Sequence, residues 1–532
     1  MLSQSRSSHI DTFCRDGMPP KSQLPDLIFT IPEVNYPDRL NAASVLLAGG
    51  DPEAPCVSGG GVAWTYGELG TWSARIAHVL VDEHGLVPGN RVILRGGNNP
   101  WTVACWLAVL RAGGVVVTTI PILRPGEMEK VIAKSEPSVA LCEATFASDM
   151  TGLEGPAWRL WGDEGEESLE TVAATKPDTF DDVDTSADDV ALIAFTSGTT
   201  GEPKAPMHFH RDLLAIADTF GKILKARSDD VFTGSPPLAF TFGLGGEVVF
   251  PMRLGASTVY PDKPGPEPLA QTIDEANCTV CFTSPTAYRA LMGMMDRFDL
   301  SSLRRPVSAG ETLGKTTYDA FLETTGVKII DGIGSTEMLH IFVSASDDDI
   351  RPGATGLPVP GFEAKVVDKQ GHDVPDGEVG RLAVRGPVGC RYLDDERQTT
   401  YVQDGWNLTG DAYIRDSDGY FWYQARTDDM IISSGYNIAS PEVEEALLSH
   451  EEVMEAGVIG VDDPDRGQLV RAFVHLRDPS MASDDLAKEL QDHVKATISP
   501  YKYPRAISFS DTPLPKTLTG KLQRFALHDL DS

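Results

Sequence analysis

The chain contains the stretch Phe195-Thr196-Ser197-Gly198-Thr199-Thr200-Gly201-Glu202-Pro203-Lys204, which combines small hydroxyl residues, glycines and a lysine. Glycines let the backbone bend so that several N–H groups converge on an anion, while the hydroxyls add donors and the lysine adds positive charge. The apolar run 190–195 comes directly before this stretch and predicts a buried strand. We therefore predict a phosphate-binding loop at the carboxyl end of a strand, in a protein that handles a nucleotide.

This loop differs from the Walker P-loop. The order Gly-x-x-x-x-Gly-Lys-Ser/Thr is absent, and Lys204 follows a proline instead of a glycine. The alternative is a turn rich in Ser, Thr and Gly that binds no ligand. The length of the run and its lysine favour a nucleotide chemistry of another kind.

The composition is that of a folded protein with more than one domain. The chain has 532 residues, of which 41% are hydrophobic. Its formal net charge of −33 disfavours binding to nucleic acid and to anionic membrane surfaces, because both are negatively charged. We find no stretch with the roughly 18 apolar residues that a membrane helix needs, so membrane insertion is not expected.

The cysteines indicate a reducing compartment. There are seven, scattered along the chain and odd in number, which is not typical of a disulfide framework. We therefore expect a cytoplasmic protein. Cys278 and Cys281 form an isolated Cys-x-x-Cys in a predicted strand, where residues three apart face opposite sides, so we expect core residues instead of metal ligands.

Helix-like and strand-like patterns alternate in the first part of the chain. The periodicity predicts helices at 66–84 and 101–112 and strands at 91–94 and 115–120. The acidic segment 162–189 is expected to be a solvated connection. This rhythm is typical of an α/β fold.

The last hundred or so residues change character. They predict helices at 441–450 and 484–497 and strands at 455–460 and 470–476, as in a small α+β domain.

Four later motifs accompany the loop. They are Ser308-Ala309-Gly310-Glu311, Asp331-Gly332-Ile333-Gly334-Ser335-Thr336-Glu337, Leu408-Thr409-Gly410-Asp411 and Pro515-Lys516-Thr517-Leu518-Thr519-Gly520-Lys521. In order and spacing they resemble the superfamily of adenylate-forming enzymes, which includes acyl-CoA synthetases, adenylation domains of peptide synthetases and luciferases. The resemblance covers nearly the whole chain.

The resemblance implies a fold and a set of ligands. The fold is α/β, with a large multi-subdomain domain at 1–427 that has mixed sheets and a distorted β-barrel region. A small mobile α+β domain at 428–532 carries the catalytic lysine. The ligands are ATP, Mg²⁺ and CoA, the last as a substrate.

The resemblance also assigns residues to the phosphates and to the first chemical step. Glu337 matches the glutamate that binds Mg²⁺, with Thr200 as its companion, and a hard cation that bridges phosphates favours such oxygen ligands. Lys521 matches the lysine that stabilises the charge developing on the phosphate oxygens. Many family members have glycine after the loop lysine, where this chain has Ala205-Pro206, which is expected to stiffen the exit of the loop. The residues that match the phosphate-binding loop are Thr196, Ser197, Gly198, Thr199, Thr200, Gly201 and Lys204.

Two later segments and a pair of charged residues match the AMP site. Glycines allow a flat base to approach the backbone closely, and the carboxylate of Asp411 suits both ribose hydroxyls. The residues that match are Gly310, Glu311, Asp331, Gly332, Ile333, Thr336, Asp411 and Arg426.

The matched family uses one pocket for two reactions. Asp428 matches the hinge between the domains, and Ser434, Gly435 and Tyr436 match the tunnel for the pantetheine arm of CoA. The carboxylate and MgATP would yield acyl-AMP and pyrophosphate, and a thiol would then expel AMP. Because no protein nucleophile is required, we expect the histidines of His208-Phe209-His210 to have a packing role.

The segment Gly332-Ile333-Gly334-Ser335-Thr336-Glu337-Met338-Leu339-His340-Ile341-Phe342 resembles the benzoate–CoA ligase branch, which activates aromatic acids. Segment 236–243 is closer to the ligases for 2-aminobenzoate or salicylate than to those for benzoate. Thr241 stands where plain-benzoate enzymes tend to have alanine. Its hydroxyl is expected to meet an ortho amino or hydroxyl group, unless it bonds its own backbone. The residues that match the substrate pocket are Thr241, Phe242, Gly243, Ala309, Gly334, His340 and Ile341.

The sequence leaves two other functions open. A stand-alone aryl-adenylating enzyme would load a carrier protein instead of CoA, and a non-catalytic nucleotide-binding protein would keep the same fold. The complete set of Lys204, Glu337, Asp411, Arg426 and Lys521 argues against the second function. A luciferase-type oxygenase is least favoured, because nothing in the sequence signals oxygen chemistry. The expected partners are an aromatic carboxylate, ATP and CoA, and the expected quaternary state is a monomer or a homodimer.

Overall fold

The computed structural model describes residues 6–150, 152–163, 165–196, 202–426, 430–433, 436–463, 467–498, 500–516 and 522–530. The strands of the first 426 residues are β1 (Pro55–Gly59), β2 (Val62–Thr65), β3 (Arg91–Arg95), β4 (Val115–Thr119), β5 (Val139–Glu143), β6 (Ala157–Trp161), β7 (Val190–Ala194), β8 (Met207–Phe209), β9 (Val231–Gly234), β10 (Ser257–Val259), β11 (Val280–Thr283), β12 (Arg305–Ser308), β13 (Ile330–Gly334), β14 (Ile341–Ser344), β15 (Leu357–Pro358), β16 (Glu363–Val367), β17 (Val379–Arg385), β18 (Val402–Gln403), β19 (Trp406–Arg415) and β20 (Phe421–Arg426). The later strands are β21 (Met430–Ser433), β22 (Tyr436–Ala439), β23 (Val453–Asp463), β24 (Gly467–Leu476) and β25 (Ala506–Ser510).

The α-helices are α1 (Phe13–Asp16), α2 (Ala42–Leu47), α3 (Tyr66–His78), α4 (Pro100–Arg111), α5 (Pro125–Ser135), α6 (Leu169–Ala173), α7 (His210–Leu224), α8 (Thr241–Leu244), α9 (Phe250–Leu254), α10 (Pro266–Ala276), α11 (Pro285–Met292), α12 (Lys315–Thr325), α13 (Gln398–Tyr401), α14 (Ser440–Leu448), α15 (Asp484–Thr497) and α16 (Arg524–Leu530). One-turn π-helices lie at Val79–Glu83 and Gly245–Val249. Short 3₁₀ turns lie at Lys21–Gln23, Pro32–Val34, Ala144–Met150, Asp347–Asp349, Pro479–Met481 and Pro500–Lys502.

Two large sheets form the body of the protein. The six-stranded sheet has the order β6-β5-β3-β4-β7-β8 and is parallel except for its edge strand β8. The nine-stranded sheet has the order β15-β14-β13-β12-β11-β9-β10-β1-β2 and is parallel from β13 to β1. One apolar core contains residues of both sheets and of helices α2, α3, α4 and α7. The α/β class expected from the sequence is confirmed.

The predicted helices begin at good caps. The Thr65 hydroxyl accepts a hydrogen bond from Glu68 N–H while the Glu68 carboxylate accepts one from Thr65 N–H, a capping box that starts α3. The Asn99 side chain accepts from Thr102 N–H and starts α4, with Pro100 in the first turn. The helix predicted at 66–84 is thus α3 followed by a π-helical turn, and the one predicted at 101–112 is α4.

The expected β-barrel region is a five-stranded antiparallel sheet. Its order is β16-β17-β19-β18, with β20 paired to β19. The residues from 430 onward form a separate sheet, β22-β21-β24-β23, with β25 parallel to β24. Helices α14 and α15 pack on this sheet and share an apolar core with it. The domain boundary predicted between 427 and 428 lies outside the described residues and stays a prediction.

The acidic segment 162–189 differs from its expected form. It contains α6, whose Leu169 and Ala173 are fully buried, and its last residue, Asp189, is buried too. Asp189 accepts hydrogen bonds from the N–H and hydroxyl of Ser8 and from Ser186 N–H, so polar partners replace the expected solvent.

The seven cysteines are all buried and free, with Cys278 and Cys281 among them, as expected for core residues. Among the described residues, each helix is too short or too polar to cross a bilayer.

A buried ion pair joins the six-stranded sheet to the segment near residue 391. Arg391 donates to the Asp212 carboxylate at 2.7 Å, and both side chains are almost completely buried. Asp212 also accepts from Phe209 N–H (3.0 Å) at the start of α7, and the Arg391 guanidinium lies 3.9 Å from the centroid of the Phe209 ring. Helix α7, strand β8 and the segment after Gly389 are therefore fixed to one another.

We predict that Asp212→Ala lowers the free energy of unfolding by about 3–5 kcal/mol, because it leaves Arg391 as a buried charge without its carboxylate. The matched control is Asp184→Ala, which removes an exposed ion pair with Arg39 and should cost less than about 1 kcal/mol. Urea unfolding monitored by tryptophan fluorescence measures both. Equal losses in the two variants would contradict this account of the buried pair.

Candidate active site

The predicted phosphate loop follows β7, at the carboxyl end of that strand as the sequence indicates. Two backbone hydrogen bonds of 3.0 Å, one in each direction, join Thr196 to Lys204 and close the loop at its base. The chain then returns as β8, antiparallel to β7. The candidate residues in the middle of the loop lie outside the described residues: Ser197, Gly198, Thr199, Thr200 and Gly201.

The exit of the loop is held in an extended conformation. Leu393 N–H donates to the carbonyl of Ala205 (3.0 Å), and Met207 N–H donates to the carbonyl of Arg391 (2.7 Å). Pro206 and Tyr392 form an antiparallel bridge between these two bonds. A residue paired in this way does not need the backbone freedom of glycine, which accounts for Ala205-Pro206 after the loop lysine.

Tyr392 connects two of the candidate residues. Its hydroxyl donates to Oε1 of Glu337 at 2.5 Å, and Lys204 Nζ lies 5.6 Å from the centroid of its ring. Burial, together with the Glu337 carboxylate, raises the pKa of Tyr392 and keeps its phenol protonated as a donor. The structure thus brings Lys204 to the ring and Glu337 to the hydroxyl of the same tyrosine. Sequence reasoning missed Tyr392, because no motif marks it.

A tight turn separates Glu337 from His340. His340 N–H donates to the carbonyl of Met338 (2.8 Å), and Leu339 between them has a φ of 66°. A left-handed leucine is strained, and such strain persists where the surrounding packing enforces it. Leu339 is completely buried, so packing holds the turn that sets Glu337 against Tyr392 and His340 among aromatic rings.

The two histidines after the loop have structural roles, as expected. His208 Nε2 lies 2.8 Å from the carbonyl oxygen of Thr336, to which it donates, and burial lowers the pKa of His208 to about 4. His210 accepts from Ala42 N–H through Nδ1, and burial lowers its pKa to about 3. Both rings are neutral at pH 7, and His208 supports the backbone of the Asp331–Glu337 motif.

The segments predicted to bind adenine lie side by side. β12 and β13 are parallel neighbours with Ser308 opposite Asp331, so both motifs leave the same edge of the sheet. Gly310 has a φ of 88°, a conformation that favours glycine. One carboxylate oxygen of Glu311 is buried without a hydrogen-bond partner in the described chain, and the Ser308 hydroxyl lies against the Asp331 carboxyl, which is buried as well. Buried polar groups at this edge fit a polar, flat ligand.

The predicted ribose residues form an ion pair across two antiparallel strands. Asp411 on β19 faces Arg426 on β20, and Arg426 Nη1 donates to Asp411 Oδ1 and to the carbonyl of Thr409, both at 3.0 Å. Gly410 has a φ of 80°, which favours glycine, and a Cβ there would lie 2.7 Å from Arg426 Nη2, so a larger residue would displace the Arg426 side chain. Asp411 is nearly buried, whereas Arg426 is exposed at the rim.

An aromatic wall surrounds His340 in the predicted substrate pocket. Both imidazole nitrogens lack hydrogen-bond partners in the described residues, and burial lowers the pKa of His340 to about 3. His340 is therefore neutral. The rings around it, with centroids 4.6 to 6.1 Å away, belong to Phe220, Phe242, Phe250 and Phe282.

Glycines line this wall because no larger residue fits. A Cβ on Gly245 would lie 2.4 Å from His340 Cδ2, and one on Gly334 would lie 2.7 Å from the His340 carbonyl oxygen. Gly243 would approach the carbonyl oxygen of Pro237 to 2.4 Å. The predicted pocket residues Gly243, Gly334 and His340 are thus brought into one packed unit.

The remaining predicted pocket residues are buried beside this wall. Ile341 contacts the adenine segment, since a Cβ on Gly332 would meet its Cγ2 at 2.6 Å. Ala309 is buried at the end of β12. Thr241 begins α8 and is buried, and its hydroxyl makes no hydrogen bond within the described residues. The alternative in which Thr241 bonds its own backbone is therefore not observed.

Lys521, Asp428, Ser434 and Gly435 lie outside the described residues, and Tyr436 is described only as the backbone start of β22. Their assigned roles stay predictions.

Comparison with known proteins identifies the family of the chain. A family model described as "AMP-binding enzyme" matches residues 47–392, and one described as "AMP-binding enzyme C-terminal domain" matches residues 442–521. The benzoate–CoA ligase of Thauera aromatica is 34% identical over 94% of this chain and 97% of its own. The 3-hydroxybenzoate–CoA ligase of Aromatoleum sp. (strain CIB) is 32% identical over 92% of this chain and 97% of its own.

A solved structure is also similar throughout. The anthranilate CoA ligase AuaEII, crystallised with anthranoyl-AMP, has a TM-score of 0.88 and 33% identity, covering 94% of this chain and 99% of that one. The chain therefore belongs to the AMP-binding enzyme family and, within it, to the benzoate–CoA ligase branch of adenylate-forming enzymes; it is an AMP-forming acid–CoA ligase.

Proposed function

We propose that this protein is an aryl-CoA ligase that prefers an ortho-substituted benzoate, either 2-aminobenzoate or salicylate. The observation that carries the proposal is Thr241, a buried residue whose hydroxyl makes no hydrogen bond within the described residues and which directly precedes Phe242 of the aromatic wall around His340. A flat ring would bury its faces against this wall, which supplies most of the binding energy. An ortho amino or hydroxyl group would pair with Thr241, as the similarity to the anthranilate ligase also suggests.

The phosphates of ATP and a magnesium ion would bind between Lys204 and Glu337. Glu337 fits a metal ligand, because its nearly buried carboxylate has a hydrogen bond from Tyr392 but no cationic partner among the described residues. Thr200 would add a second oxygen ligand. When bound, Mg²⁺ would neutralise charge on the phosphates during pyrophosphate departure.

The nucleoside would occupy the edge of the nine-stranded sheet and the Asp411–Arg426 pair. The backbone at Gly310 and Glu311 and at Asp331, Gly332 and Ile333 would form the slot for adenine. Asp411, oriented by Arg426, would accept hydrogen bonds from the ribose hydroxyls.

The first half-reaction would join the acid to AMP. A carboxylate oxygen attacks the α-phosphorus, the bond to the β-phosphate oxygen breaks, and pyrophosphate leaves. Lys521 would stabilise the negative charge that develops on the α-phosphate oxygens. Thr336, whose carbonyl His208 supports, would lie beside the same phosphate.

The second half-reaction would use the same pocket after a rotation at Asp428, between domains at 1–427 and 428–532. The pantetheine thiol would enter along Ser434, Gly435 and Tyr436. The thiol loses its proton to solvent, its sulfur attacks the acyl carbon, the bond to the AMP phosphate oxygen breaks, and AMP leaves with that oxygen. No protein nucleophile takes part in either step.

We predict that the protein releases AMP in a CoA- and ATP-dependent assay, with a higher kcat/KM for 2-aminobenzoate or salicylate than for benzoate or a medium-chain fatty acid. Lys521→Ala should lower the rate about 100-fold or more, because the charge on the α-phosphate loses its cation. Turnover of the fatty acid in preference to all three aromatic acids would refute the pocket assignment. Acyl-AMP formation without transfer to free CoA would indicate a carrier protein as the acceptor.

We predict that Thr241→Val lowers the preference for the ortho-substituted acid over benzoate about 5-fold, because the lost hydrogen bond is worth roughly 1 kcal/mol. Valine keeps the volume of threonine, and Thr241→Ser, which keeps the hydroxyl, is the matched control. The measurement is the ratio of kcat/KM values for the two acids. If the ratio of kcat/KM values is the same in Thr241→Val and in the wild type, the Thr241 hydroxyl does not contribute to recognition of the ortho group.

We predict that Tyr392→Phe lowers the rate of ATP–pyrophosphate exchange about 10-fold and raises the Mg²⁺ concentration needed for half-maximal rate, because the Glu337 carboxylate loses a charge-assisted hydrogen bond. The control is Tyr413→Phe, which removes a bond of a buried tyrosine to Thr355 away from Glu337. If both variants respond alike, Tyr392 acts through stability instead of through Glu337.

A further inference from the structure

Asn98 holds both sides of Pro237 in the segment that leads to Thr241. Its Nδ2 donates to the carbonyl of Pro236 at 2.8 Å, and its Oδ1 accepts from Leu238 N–H at 2.9 Å. This amide therefore satisfies the backbone just ahead of α8, in a stretch that is neither helix nor strand.

Nδ2 of Asn98 also donates to Oε2 of Glu247 at 3.2 Å. Glu247 is completely buried and has no cationic partner in the described part of the chain. Burial raises the pKa of Glu247 well above its usual value, which favours the neutral carboxylic acid. A neutral acid in this position accepts a hydrogen bond from Asn98 at no cost in charge burial.

Glu247 lies in the π-helical turn Gly245–Val249, directly after α8. Such turns release backbone groups from the regular helical pattern and occur often at functional sites. Here the Glu247 carbonyl accepts from the hydroxyls of Thr258 (2.9 Å) and Tyr260 (3.0 Å). These bonds fix the turn to β10 and to the residue that follows it.

The pocket segment Thr241–Leu244 thus lies between two anchors that touch each other. Asn98 holds the chain before it, the Glu247 turn holds the chain after it, and the Asn98–Glu247 bond joins the two. Gly246 within the turn leaves room for the ring of Phe282, since a Cβ there would lie 2.5 Å from Phe282 Cγ. Phe282 is part of the wall around His340.

We propose that Asn98 and Glu247 are positioning residues that determine selectivity for the acid by fixing Thr241 and Phe242 relative to His340. The proposal rests on the aryl-CoA ligase function given above. Neither residue belongs to a recognised motif, and neither is required to touch the substrate.

Asn98→Ala tests the proposal against Asn41→Ala. Asn41 is also buried and bonds two backbone carbonyls, of Leu110 and Val183, but it does not contact the pocket segment. We expect Asn98→Ala to raise KM for the aromatic acid about 10-fold and to reduce discrimination between ortho-substituted and plain benzoate, with KM for ATP unchanged. Asn41→Ala should change stability without changing either KM. Equal KM values for the acid in wild type and Asn98→Ala would overturn the proposal.

Glu247 is tested by conservative rescue. Glu247→Gln keeps a neutral side chain with an oxygen that accepts from Asn98, so its KM for the acid should stay within about 3-fold of wild type, whereas Glu247→Leu should behave like Asn98→Ala. In the double variant Asn98→Ala/Glu247→Leu the two effects should be less than additive, because they break the same bond. The pairing would be overturned if Glu247→Gln raised KM for the acid as much as Glu247→Leu does. It would also be overturned if the effects of Asn98→Ala and Glu247→Leu on KM were strictly additive in the double variant.

A substrate-independent readout separates this proposal from the function itself. Amide hydrogen exchange of the unliganded protein should be faster at Leu238 and across 241–245 in Asn98→Ala, and unchanged there in Asn41→Ala. If the wild type fails to activate aromatic acids but exchange accelerates in Asn98→Ala as expected, the aryl-CoA ligase function is wrong and the positioning role of Asn98 is supported. If exchange across 241–245 is unaltered, the positioning role is wrong whatever acid the protein activates.

Discussion

The active-site architecture depends on the buried ion pair of Arg391 and Asp212. A guanidinium with almost no contact to solvent is costly to bury unless its charge is paired, so this ion pair fixes the segment after Gly389 against α7 and β8. The backbone on either side of Arg391 then pairs with the exit of the phosphate loop. Tyr392, the next residue, thereby meets both Lys204 and Glu337.

Parallel strands bring the two segments predicted to bind adenine together at one edge of the nine-stranded sheet. Ser308 at the end of β12 lies opposite Asp331 of β13, so the two motifs meet although 19 residues separate them in the chain. In open α/β sheets ligands bind outside the carboxyl ends of strands, where backbone groups are free. The Asp411–Arg426 pair lies in a different sheet, which is antiparallel. The register of β19 and β20 places the two residues opposite each other.

Neutral buried polar groups characterise the pocket side of the site. His340 and Glu247 both lose their charge through burial, one as an imidazole among aromatic rings and the other as an acid bound to Asn98. Uncharged side chains around a pocket favour the binding of an aromatic ring, because a fixed charge would retain water that the ring has to displace. Lys204, Glu337 and Asp411 belong instead to the part of the site assigned to the nucleotide.

The sequence by itself determined the α/β class, the loop after β7, the family and the residue types assigned to phosphate, ribose and ring, because these depend on local patterns: apolar runs, glycine turns and short motifs. It did not reveal Tyr392, Asn98, Glu247 or the Arg391–Asp212 pair, and it described the segment ending at Asp189 as solvated. Each of those residues acts through partners distant in the chain, and burial and hydrogen bonding across such distances are properties of the tertiary structure. Local sequence specifies which chemistry is available, while packing decides which side chains hold it in place.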